Sequence, residues 1–205
     1  MTFLSLLPMA FVMVAGPQVL SAIFLATSEN WRANSAAYIA GAATAITIFV
    51  TAAFFLIHGA RNGGESLKGV DIGILVVLAL LMLRTYLRRA ESEPPKWMGR
   101  LQSANAGFSF KLGFLLLGVF PTDIATSIAM GAYAGNHSDS WFQCLPFIVL
   151  TLLFLATPSL LLLVLGSRAH ALLPKVRDWM TDNSWVVNEI VLAFFVAITL
   201  NSLLG

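Results

Sequence analysis

An aspartate in the middle of an apolar run is the first residue to account for. Asp123 follows Pro121 and Thr122 inside Gly113 to Gly131, GFLLLGVFPTDIATSIAMG, a stretch long enough to cross a bilayer. An ionised carboxylate at that depth costs roughly 2.5 to 3.5 kcal/mol on insertion scales, and proline removes a backbone donor while clashing with the preceding turn. A helix that breaks at the proline and starts afresh, its freed backbone groups turned toward protein or a wet cavity, offsets both costs. Gly16, Pro17 and Gln18 repeat the arrangement in the first apolar run. Glycine permits close backbone approach, proline suits the first position of a new helical segment, and the polar residue after it can cap the start. Two half-helix N-termini pointing into one central site carry partial positive charge and suit a phosphate, a carboxylate or another anionic headgroup. Gly16, Pro17, Gln18, Pro121, Thr122 and Asp123 are therefore the candidate substrate and coupling site. The prolines also have a plainer reading, as kinks in continuous helices. Asp123 has two readings: a carboxylate that satisfies free N–H groups at its helix start, or one that carries a proton or cation. Both turn it toward the bundle interior.

The elements that must position these residues are membrane helices. Apolar residues make up 58% of the chain and charged residues 11%, against about 45–50% and about 25% in soluble domains. Six apolar runs approach the roughly 20 residues needed to span the hydrocarbon core. They lie near residues 3–27, 35–58, 71–88, 107–132, 143–167 and 186–204, and no gap between them holds a folded soluble domain. The expected fold is an all-α integral membrane protein of six transmembrane helices, the first and fourth broken at proline. Residues 1–88 form a first three-helix unit, 89–106 a cytoplasmic linker, and 107–205 a second unit. In the linker Pro94 and Pro95 stop the third helix, and Trp97, Met98 and Leu101 fall on one face beside Lys96 and Arg100, as in a short interfacial helix.

The two units share a register. Gly59, Arg61, Lys68 and Asp71 recur as Gly166, Arg168, Lys175 and Asp178 at one offset of 107, and Pro17 recurs as Pro121 at 104. Charged positions drive the match, which implies a duplication. Three spans per unit is an odd number, so the halves sit in opposite orientations, as an inverted repeat. Arg61 and Arg168, with Asp71 and Asp178 as the nearest partners in the same loops, are either interfacial anchors or a mirrored pair of gates.

Charge fixes the expected topology. With both termini outside, ten of the twelve Lys and Arg residues fall in cytoplasmic loops, and only Arg61 and Lys68 lie opposite. The expected location is the plasma (inner) membrane. A net charge of +2 and basic residues clustered beside apolar runs give no reason to expect nucleic-acid binding. Cys144 is the only cysteine, and His58, His137 and His170 show no metal-ligand spacing, so no metal or cofactor is expected. Nothing resembles a nucleophile elbow, a P-loop or HExxH, and the chain is not expected to be an enzyme.

Three stretches carry a family resemblance: LLPMAFVMVAGPQVLSAIFL at Leu6 to Leu25, PPKWMGRLQSANAGFSFKLGFLLLGVFP at Pro94 to Pro121, and NSWVVNEIVLAFFVAITLNSLLG at Asn183 to Gly205. In them the chain resembles the lysine-exporter (LysE) superfamily, and more closely its branch of peptidoglycolipid- and sulfolipid-addressing proteins (GAP/Sap). It departs from the pattern at Phe120-Pro121-Thr122-Asp123, where many relatives read Asn-Pro followed by a basic residue. The resemblance implies a transporter of 3+3 inverted repeats that exports cell-envelope lipids or small solutes. Its partners would be membrane lipids and a lipid-like or small-solute substrate, with a homodimer as an allowed assembly. Two other functions fit the residues: a proton-coupled exporter of an amino acid or cation, which Asp123 and the Gly-Pro break suit, and a non-transporting scaffold for envelope-lipid assembly.

Overall fold

In a computed structural model of the chain the described residues are 3–62, 76, 101 and 103–182. Among them seven α-helices follow in order: α1 (Phe3–Val14), α2 (Pro17–Ala26), α3 (Trp31–Asn62), α4 (Ala106–Val119), α5 (Pro121–His137), α6 (Leu145–Leu165) and α7 (Ser167–Asp182). A short 3-10 helix, Trp141–Cys144, leads into α6. Helix α3 and the segment Trp141–Leu165 are each long and apolar enough to cross a membrane. Leu6–Val14 with Pro17–Ala26, and α4 with α5, pass the same test as bent pairs, with bends of 67° and 71°. The protein is thus a helical membrane protein, and its described residues hold two such helices, or four if each bent pair is one span. The expected third and sixth spans, 71–88 apart from Val76 and 186–204, lie outside the described residues, as does the linker helix apart from its last few positions.

Both breaks fall where proline opens a new helix. Pro17 and Pro121 take the first position of α2 and α5, where a missing N–H leaves no bond unmade. Before Pro17 the chain turns through Gly16 at φ 99° and ψ −137°, a region that side chains other than glycine's disfavour. Before Pro121, Phe120 is extended at φ −68° and ψ 125°, as a residue preceding proline prefers. Pro8 and Pro158 lie inside α1 and α6 without ending them, so proline alone does not make a break here.

Close backbone packing holds α3 against the second bent pair. A Cβ on Gly41 would collide with the carbonyl of Phe110, and one on Gly113 with the carbonyl of Tyr38. Further along, Gly131 lies against the Val50 carbonyl and Gly135 against that of Phe54. Small residues permit this approach where no hydrophobic force separates helix from lipid. The two chains run in the same direction but not in step. Thirteen positions separate Gly118 from Gly131, yet only five separate their α3 neighbours Ala45 and Val50. The bent pair therefore bows away from α3 around Pro121, and the start of α2 lies beside the bow. The first bent pair packs along α6, with Phe11 edge-on to Phe154 at 6.2 Å and Ile23 and Ala26 against Leu162. The central core includes Tyr38, Ile46, Val50, Phe54, Leu117 and Phe147.

Polar ties close the two ends. Asn34 Nδ2 donates to Ser28 Oγ (2.8 Å) and to the Ala104 carbonyl (2.9 Å), joining the α2–α3 turn to the start of α4. At the other end Arg61 pairs with Asp139 and donates to the Asn136 carbonyl (3.0 Å), so α3 clasps the loop after α5. Residues 168–182, expected as part of a charged loop, form α7 instead. Ala169 and Leu173, one turn apart, seat on Ile23, Ala26 and Leu162, while Leu172, Val176 and Trp179 face outward. The 107 offset does not carry over to backbone shape: Gly59 lies within α3, whereas Gly166 has φ 52° and ends α6.

Candidate functional site

The site begins with two uncapped helix starts. Neither Gly16 before α2 nor Phe120 before α5 supplies a side-chain cap. On α5 the first backbone bonds run from Asp123 N and Ile124 N to the Phe120 carbonyl, both at 3.1 Å. The Asp123 carboxylate caps neither start. It reaches across to the other bent pair, where Gln18 Nε2 donates to Asp123 Oδ2 at 2.6 Å. The remaining oxygen, Oδ1, has among the described residues only the neighbouring Thr122 hydroxyl at 3.5 Å. Asp123 is 1% exposed and Gln18 3%. Among the described residues no Lys, Arg or His reaches the carboxylate.

Of the residues expected to form the site, the structure brings Gln18 and Asp123 into direct contact, with Gly16, Pro17, Pro121 and Thr122 beside them in sequence at the two breaks. Two residues that the sequence reading passed over join them. Tyr38 of α3 donates its hydroxyl to the Gln18 carbonyl at 2.9 Å, linking the unbroken helix to the first break. Ser127, one turn beyond Asp123, is fully buried, and its hydroxyl has no partner among the described residues. Gln18 Oε1 is likewise buried without a partner among the described residues. Each such atom costs about 1–3 kcal/mol relative to a satisfied one, so the site stores polar capacity that the protein itself does not use. Helical spacing was the signal for Ser127. Tyr38 carried none, because a tyrosine inside an apolar run reads as core.

One face of α5 leads outward from the pair. Asp123, Ser127, Met130 and Ala134 recur at helical spacing, and all four are buried. Met130 and Ala134, with Tyr133, Leu6 of α1, Gln143 and Pro146, line a cavity of about 290 Å3. The buried polar pair lies between the two breaks, and the cavity lies further along the same face of α5.

The gate or anchor candidates lie at different places in the structure. Arg61 pairs with Asp139 and donates to the Asn136 carbonyl, while its expected partner Asp71 lies outside the described residues. Arg168 and Asp178 sit ten residues apart on the same helix, roughly 15 Å at 1.5 Å per residue, so they do not pair with each other.

Neither a curated protein nor a solved structure matches the chain. A family model does, over residues 6–203, and its description is Sap, sulfolipid-1-addressing protein. The match takes in both breaks, the Gln18–Asp123 contact and nearly the whole sequence, and on that basis the chain belongs to the sulfolipid-1-addressing protein family.

Proposed function

We propose that the protein is a non-enzymatic membrane transporter, an exporter or flippase that moves an amphipathic, anionic cell-envelope lipid through a site where the two broken spans meet. The observation that carries this reading is the Gln18–Asp123 hydrogen bond, which joins the two breaks inside the protein. Broken helices whose starts converge on a buried polar site are a device of membrane carriers. The family description names a sulfolipid, a molecule with an apolar body and an acidic sulfur-oxygen head. Such a substrate needs polar and apolar surface together, and the α5 face offers both: Asp123 and Ser127 are polar, Met130 and Ala134 apolar.

Six spans in two inverted halves are part of the proposal. Each unbroken helix packs along the broken span of the other half, in the same direction: α3 with α4 and α5, α6 with α1 and α2. A twofold axis in the membrane plane that exchanges the halves also exchanges these two pairs, which supports the repeat. Both termini outside the plasma membrane, with Arg32, Lys111, Arg168 and Lys175 on the cytoplasmic side, complete the topology.

One observation favours a second reading. A buried Asp123 with no cationic partner among the described residues suits a proton-coupled exporter of an amino acid or cation. Native mass spectrometry of lipids that co-purify in mild detergent separates the two. The lipid reading expects an anionic lipid enriched over the bulk membrane and lost in Gln18→Leu. Bulk lipid proportions in the wild type, unchanged by the substitution, would contradict it. A protein that retains the lipid but moves none in vesicles would be a scaffold.

A further inference from the structure

The Gln18 amide sits between two groups that make opposite demands. Its Nε2 donates to Asp123 Oδ2 at 2.6 Å, which requires an acceptor oxygen there. Its Oε1 is buried without a partner among the described residues and lies 3.6 Å from where a Cβ on Gly16 would stand, so it faces the α1–α2 break. Turning the amide half a revolution about its last side-chain bond exchanges the two atoms with almost no change of shape. Oε1 then meets Asp123 Oδ2, and two acceptors face each other unless the carboxyl carries a proton to donate. Nε2 meanwhile faces the break, beside the start of α2, where no side chain caps the free N–H groups. The two amide orientations therefore correspond to the two charge states of Asp123.

We propose that Gln18 is an amide switch: a proton taken up by Asp123 turns the amide, and the α1–α2 break becomes the binding site for the anionic headgroup, of the sulfate monoester class. The inference rests on the transporter reading and deepens it. With Asp123 ionised, an anion at the break meets an unpaired acceptor in front and a negative carboxylate behind. With Asp123 protonated, both obstacles are gone, and Nε2 and the α2 start donate to the anion. The exchange balances. A proton from water bonds to Oδ2, the Nε2–H to Oδ2 hydrogen bond breaks, and an Oδ2–H to Oε1 hydrogen bond forms. The site holds one negative charge before loading, on the carboxylate, and one after, on the substrate. Burying the anion thus adds no net charge to a low-dielectric interior.

Among the described residues Tyr38 is the titratable side chain that the surrounding helices bring to this pair, through its bond to the Gln18 carbonyl. Helices α1, α2 and α6 carry no titratable side chain. Lys111 of α4 is exposed, and on α3 His58 stacks on Phe54 while Arg61 is held by Asp139. The far end of α5 carries Tyr133 and His137, stacked on each other at 4.2 Å, and Cys144 lies in the 3-10 helix beyond them. Helix α7 meets α2 at Ile23 and Ala26, past Gln18.

Calorimetric titration of the protein in nanodiscs with octyl sulfate tests the switch. A sulfate monoester stays ionised throughout the range in which carboxyls titrate, so any pH dependence belongs to the protein. The expected result is affinity about tenfold or more tighter on the acid side, from hydrogen bonding to a charged ligand. Comparing buffers of different ionisation enthalpy should show about one proton taken up per anion bound. In Asp123→Asn the amide Nδ2 imitates the protonated acid, so binding should be tight at every pH with no proton uptake. Gln18→Leu should bind weakly throughout. Wild-type affinity independent of pH, no binding at any pH, or proton uptake persisting in Asp123→Asn would each overturn the switch, and the wild-type proton count decides even where a variant fails to fold. Lipid transport in vesicles that ignores pH would sink the switch and leave the transporter reading; proton-linked binding with no lipid movement would do the reverse.

Discussion

Among the described residues Asp123 is held by an amide on another helix rather than by a cation or by its own helix start, and that arrangement sets what substitutions should do. Asp123→Leu leaves Gln18 Nε2 buried with no acceptor, a loss of about 1–3 kcal/mol. Asp123→Asn keeps an oxygen and a donor in place and should cost less. At roughly 2–4 °C per kcal/mol for a chain of this size, thermal unfolding in detergent should separate the two, with the leucine variant the lower. Equal melting points would mean that the contact contributes little to the fold. Gly16 makes a second prediction. A Cβ there meets nothing closer than Gln18 Oε1 at 3.6 Å, so Gly16→Ala is opposed by its φ of 99° and not by space. That strain is about 1–3 kcal/mol, and the expected result is a lower melting point together with weaker lipid retention. An unchanged melting point would show that the turn at Gly16 relaxes freely.

Helices α3, α4 and α5 transmit their packing to the site through Tyr38. Its carbonyl lies against Gly113, and its hydroxyl holds the Gln18 carbonyl. Gly113→Ala must push α4 off α3 at that point, and the expected outcome is a melting point lowered by several degrees, with lipid retention reduced as Tyr38 shifts. Gly59→Ala is the control, since a Cβ there meets nothing within 4 Å. In that helical position alanine should be neutral or stabilising by up to about 1 kcal/mol. The reverse ranking would refute the packing account. The breaks were legible in the sequence because Gly16-Pro17 and Pro121-Thr122-Asp123 place a missing donor and a polar group inside runs that must otherwise be helical. Helix α7 was not, because Arg168, Lys175 and Asp178 read as loop charge and mask the Ala169 and Leu173 pair that seats on α2. The partner of Arg61 was equally hidden: Asp139 is remote in sequence and is brought close by the parallel run of α3 and α5.

At the scale of the whole molecule, the two ends are distinguished by their ties, Asn34 with Ala104 at one and Arg61 with Asp139 at the other. The proposed topology puts the second end outside. Ser138 is buried and makes a poor reporter, whereas Ser140 and Lys175 are exposed at opposite ends. In a Cys144→Ala background, Ser140→Cys should react with an impermeant thiol reagent on intact cells and Lys175→Cys only after lysis. The opposite pattern would invert the topology. Membrane class was legible from apolar run length alone, since a bilayer sets how long a helix must be. The meeting of the two breaks was expected from the repeated proline and polar pattern, whereas the Gln18–Asp123 hydrogen bond itself required the fold, because one contact between residues 105 apart leaves no local pattern. The central claim is that an anionic lipid passes that meeting point. Its most direct test is movement of a fluorescent sulfated glycolipid between leaflets of liposomes containing the purified protein. The account predicts movement well above that in protein-free liposomes for the wild type, and a fall of at least about tenfold in Gln18→Leu with the fold retained. Wild-type protein that moves the lipid no faster than empty liposomes, or a Gln18→Leu variant as fast as the wild type, would contradict it.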